Sequence, residues 1–127
     1  MGKKRVQLGI YEVTMKQIFR NDEGQIEEKD VVHKINPKAE MYILLRAPGL
    51  FQDGRQIVEA VCIAREINSC KDDYIDLNEN DLELVQTAFN KLISKEHDPA
   101  NGKQALGGEL YEEMIMRVFR AEDAPSD

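Results

Sequence analysis

The sequence predicts an α+β fold in which an N-terminal β-hairpin packs against a bundle of three to four helices. Three observations carry that prediction. Apolar residues alternate at the strand period before residue 36, they recur at helical spacing after it, and Asn36, Asp53 and Asn78 each stand where a helix start needs a side-chain acceptor. The 127 residues suit one domain, enough to bury about two-thirds of the unfolded surface. Residues 1–120 are expected to form that domain and residues 121–127 a mobile acidic tail. With 42% hydrophobic residues but only 6% aromatic and no Trp, the core is expected to be aliphatic.

Val6, Leu8 and Ile10 alternate on one parity, and Tyr11, Val13 and Met15 on the other. A bulge near Gly9 or Ile10 reconciles them as a strand. The competing reading is a helix from Tyr11, since Tyr11, Met15, Ile18 and Phe19 also share a helical face; strand is the expectation. Asn21, Asp22, Glu23 and Gly24 supply turn chemistry, and residues 25–35 return as a second strand.

Asn36 followed by Pro37 reads as an N-cap and a first-turn proline, opening a short helix over residues 37–46 that Pro48 and Gly49 end. Asp53 with Gln56 forms a capping box for a second helix that stops near Cys70, with Ile57, Ala60, Val61, Ala64 and Ile67 on its inner face. Asn78 opens the third helix, whose stripe is Leu82, Val85, Phe89, Leu92 and Ile93, with Leu77 and Leu82 placed as a hydrophobic staple. Residues 97–103 read as a loop. Leu110, Met114, Ile115 and Val118 form the buried face of a last helix, whose start Gly107 and Gly108 kink or delay.

Seventeen Lys and Arg against 24 Asp and Glu leave a net charge of -7, which disfavours general attraction to nucleic acid. The basic run Lys3, Lys4 and Arg5 is expected to be a solvated end. Cys62 and Cys70 lie eight apart in helical sequence, about 12 Å along the axis and beyond disulfide reach. No apolar run approaches the roughly 20 residues of a membrane span, and no signal-peptide core is present, so a reducing cytosol is expected. Gly2 fits a myristoylation motif only if Val6 were Ser or Thr.

Asp76, Asn78 and Asn80 match the first ligands of a calcium loop, yet Asp81 stands where glycine makes the turn and Thr87 where a bidentate Glu is required. A linker and helix cap explain the same residues. His33 and His97 have no Cys or second His at zinc spacing. Gly102 and Lys103 lack P-loop spacing, and Glu109, Glu112 and Glu113 suit the positive end of a helix dipole. No cofactor, metal or catalytic residue is therefore expected. Met41, Tyr42, Ile43, Leu44 and Leu45 make an apolar run too broad for one face of a short helix. Either that helix is buried all round, or part of the run faces a protein partner or another copy of the chain.

The stretches Asp22, Glu23, Gly24, Gln25 and Ile26, then Ala60, Ala64 and Ile67, then Ile75 through Val85 with Asp76, Leu77 and Asn78, and finally Gly107, Gly108, Glu109, Leu110, Tyr111 and Glu112 follow an order that resembles a family of small tailed-bacteriophage proteins. The resemblance covers about three-quarters of the chain in layout. It implies phage origin, a host-cytoplasm or virion location, and no enzymatic residues. The expected function is a noncatalytic protein that binds other proteins as a virion head or tail assembly component. The alternatives are a phage regulator of a host protein, a small enzyme with a Cys and His site assembled in space, and an acidic DNA mimic.

Overall fold

The computed structural model of the chain describes residues 2–93 and 109–125. Among these described residues nine elements follow in order: β1 (Lys4–Gln7), β2 (Tyr11–Arg20), β3 (Ile26–Ile35), α1 (Pro37–Leu44), α2 (Gly54–Ser69), β4 (Tyr74–Leu77), α3 (Glu79–Ile93), α4 (Glu112–Phe119) and β5 (Glu122–Asp123). The fold is α+β, as predicted, but it has two small antiparallel sheets where one hairpin was expected. The loop expected over residues 97–103 and the glycines at 107 and 108 lie outside the described residues.

Helix starts follow the local chemistry. Asn36 Oδ1 accepts from the Lys38 backbone N–H at 3.2 Å, Asp53 Oδ1 from Arg55 at 2.9 Å, and Asn78 Oδ1 from Asp81 at 2.8 Å. Each such cap is worth about 1 kcal/mol, because it satisfies a donor that the helix leaves without an intrahelical acceptor. Gly49, at φ +77°, turns the chain out of α1 in a conformation that costs any other residue type more.

Helix α2 departs from its expected face. Ala60, Ile63, Ala64 and Ile67 are buried, whereas Ile57 is 45% exposed and Val61 half-buried. Its buried stripe is rotated by roughly 50° from the expected one, half the angle between successive residues. Apolar residues occupy both sides of that stripe, so periodicity alone could not select between them. Phe89, Val85 and Leu92 on α3, Met114 and Val118 on α4, and Met41 and Leu45 beside them complete the core.

The N-terminal strands are not one bulged strand. β1 leaves the hairpin and becomes the centre of a three-stranded sheet, paired with β4 on one side and β5 on the other. Leu8 N–H still bonds to Asp73 O at 2.6 Å, and the chain then turns into β2. The linker expected around residue 75 is thus strand β4, with Leu77 buried and Tyr74 and Asp76 on the opposite side of its pleat. Part of the segment expected as a tail pairs with β1: Glu122 lies opposite Arg5, Asp123 opposite Lys4, and Ala124 N–H bonds to Lys3 O. The solvated basic end is a further correction. Lys4 pairs with Asp123, and Arg5 makes two bonds to Asp76 at 2.8 and 3.0 Å while stacking on Tyr74 at 3.8 Å.

Candidate protein-binding site

The hairpin of β2 and β3 is the feature the core does not explain. All ten residues of each strand pair, from Tyr11 opposite Ile35 to Arg20 opposite Ile26. Asn21 shapes the connecting turn, its Oδ1 accepting from the backbone N–H groups of Glu23 and Gln25, while Gly24 takes φ +76°. Only the base of the ribbon enters the core, through buried Ile35 and half-buried Tyr11.

Beyond the base, the ribbon keeps apolar side chains in solvent. Ile18 is 68% exposed, Ile26 69%, Val32 57% and Phe19 41%. Residues directly opposite share a face in an antiparallel pair, so Ile18, Ile26 and Val32 lie on one face and Phe19, Met15 and Val31 on the other. Among the described residues the sheet has two strands, so the outer edges of both lack a strand partner. Gln17 and His33 bond across the ribbon at 3.1 Å, and Lys29 stands 5.9 Å from the Phe19 ring centroid.

The base is clamped by α4. Arg117 donates to Gly9 O at 2.7 Å, bonds Glu113 at 3.4 Å and lies 5.1 Å from the Tyr11 ring centroid, while the Tyr11 hydroxyl donates to Leu110 O at 2.8 Å. Burial raises the Tyr11 pKa, holding the hydroxyl in its donor form. These contacts fix where the arm leaves the body.

The run picked out by sequence is divided. Met41, Leu44 and Leu45 are buried, Tyr42 is half-buried with Arg46 over its ring at 4.3 Å, and Ile43 is 56% exposed. Met41, Leu44 and Leu45 are thus part of the core within one chain, because α1 turns them toward α2; Ile43 faces solvent. The hairpin tip was missed as a surface, although Ile18, Phe19 and Ile26 around a polar turn were its signal.

Other candidates resolve into structure. Asp76 is held by Arg5 and Asn78 caps α3, so both are engaged away from a calcium loop. Cys62 is exposed on α2, and Cys70 Sγ donates to Tyr74 O at 3.1 Å; among the described residues neither thiol bonds to His33. His97 lies outside the described residues. A groove of about 420 Å³ between α4 and the paired β1 and β5 carries Arg5, Arg117 and Arg120 against Glu113, Glu122 and Asp123, so its formal charges cancel. No described helix is long and apolar enough to cross a membrane.

The Arg5 hydrogen bonds hold the Asp76 carboxyl below its ordinary pKa. A depressed folded-state pKa contributes stability that is complete above the unfolded value and is lost as pH falls through the folded one. Denaturant melts should therefore show wild type more stable than Asp76→Asn at neutral pH. The gap should begin to narrow near about pH 4, where unfolded Asp protonates, and close as pH falls through the lower folded value; a gap independent of pH would contradict this account.

The chain matches no protein-family model, no curated protein and no solved structure.

Proposed function

We propose that this chain is a noncatalytic protein-binding module of virion head or tail assembly, and that the hairpin of β2 and β3 is its binding arm. The observation that carries this reading is the pair Ile18 and Ile26, each more than two-thirds exposed on one face beside the turn. Large apolar side chains held in solvent on a ribbon remote from the core contribute nothing to folding, whereas burial against a partner stabilises each by about 1.5–3 kcal/mol. A net charge of -7 favours a protein surface over a phosphate backbone. The layout resemblance to small tailed-phage proteins supports the phage setting.

Tagged chain recovered from phage-infected cells tests this. The expected result is co-purification with particles or assembly intermediates, reduced at least about tenfold in the Ile18→Asp, Ile26→Asp double variant with circular dichroism unchanged. Recovery with a host enzyme instead would support the regulator. Particle association indifferent to the double variant would remove the hairpin from the binding role.

A further inference from the structure

We propose that the free edge of β3 pairs antiparallel with β3 of a second copy of this chain, joining two hairpins into a four-stranded sheet about a two-fold axis at Val31. The inference rests on the reading of the hairpin as a binding arm and names the partner at one of its edges.

A two-stranded ribbon is marginal in water and gains stability from further strands. The outer edge of β3 offers backbone donors and acceptors along ten residues, with no described strand beside it. Its charges run in order along the strand. Glu27, Glu28 and Asp30 lie on the turn side of Val31 and Val32, and Lys34 on the base side, with Lys29 the one basic residue among the acids. Antiparallel association sets each acidic half against the other copy's basic half; parallel association sets like against like.

The register follows from the pleat. A two-fold axis perpendicular to the sheet preserves its faces, so a residue at the axis must oppose itself. Centring on Val31 pairs residues 27–35 throughout and places Glu28 opposite Lys34 twice. Centring on Asp30 would oppose two aspartates. Centring on Val32 sets Asp30 opposite Lys34 but pairs only residues 29–35, and lengthening it to include Glu28 would draw in Asn36, whose side chain caps α1.

Neighbours within the hairpin agree with the Val31 register. Met15 lies opposite Val31 and Glu12 opposite Lys34. The joined sheet would carry an apolar row of Met15, Val31 and their two symmetry mates, all half-buried in one chain. Lys34 would stand between its own Glu12 and Glu28 of the second copy. The edge of β2 offers a shorter match: centring on Thr14 sets Glu12 opposite Lys16 but pairs only residues 11–17 of the strand, centring on Lys16 opposes two lysines, and centring on Met15 leaves Glu12 against Ile18.

Sedimentation velocity from roughly micromolar to millimolar chain reads the association, a span suited to an edge contact of modest affinity. Wild type is expected to dimerise. Glu28→Lys and Lys34→Glu should each weaken the dimer at least about tenfold, because each creates two like-charge pairs, one on either side of the axis. An equimolar mixture of the two variants should restore it, since every junction then regains opposite charges. Lys34→Glu also faces Glu12 in its own hairpin, so Val31→Lys, which puts two lysines at the axis, is the second variant and should leave the chain monomeric with an unchanged circular dichroism spectrum. A wild type that stays monomeric, a dimer indifferent to these substitutions, or a mixture that fails to re-form it would overturn the proposal. A monomer that still loses its phage particles on Ile18→Asp, Ile26→Asp substitution would remove this inference alone and leave the binding arm standing.

Discussion

Phe89→Ala is expected to lower the unfolding free energy by about 3–5 kcal/mol, a third or more of the stability of many domains this size. Phe89 is fully buried on α3 and is the largest of the completely enclosed side chains. Truncation forfeits its transfer free energy and leaves a cavity. The surrounding cluster includes Ala60, Ala64 and Ala88, all fully buried, which have no side-chain length with which to fill the void. Urea melts followed by circular dichroism should show an earlier midpoint with little change in slope. A loss under about 1 kcal/mol would mean that the core collapses onto the site, contrary to close packing.

Arg117→Met should cost about 1.5–3 kcal/mol, as expected for a hydrogen bond to a charged group, and should act on the hairpin more than on the core. Arg117 bonds Gly9 O, where the chain passes from one sheet to the other, and its guanidinium lies over Tyr11 at the start of β2. Methionine keeps much of the apolar stem and removes every donor, leaving the Gly9 carbonyl without that partner. Hydrogen exchange should rise at residues 9–13 and 33–35 well before it rises in α3. Uniform loss of protection would instead mean that the clamp and the core unfold as one unit.

What was legible in the sequence was local. Asn36, Asp53 and Asn78 announced their helices because a cap needs only a side chain and N–H groups two or three residues away. The hairpin was legible as strand, turn and strand for the same reason. What failed depended on distant partners. Tyr74 to Leu77 is four residues long, and its pairing with β1 is visible only once Arg5 is known to face Asp76 across 71 positions of sequence. Glu122 and Asp123 look like any acidic tail until Lys4 and Arg5 are set beside them. At the candidate site, exposure misled in both directions. Met41 and Leu45 satisfy the core while Ile18 and Ile26 do not, and apolar character alone cannot distinguish them.

The central place of β1 has a consequence for synthesis. Its neighbours in the sheet are residues 74–77 and 122–123, so β1 waits for residues more than a hundred positions later in the chain before both of its edges are paired. At about 5–20 residues per second, that wait runs from several seconds to a few tens of seconds on the ribosome. The hairpin needs only its own turn and can form within about 1–10 microseconds of leaving the exit tunnel. The nascent chain therefore displays its arm before the body that clamps it exists, and the first encounter with a partner can precede the completion of the fold.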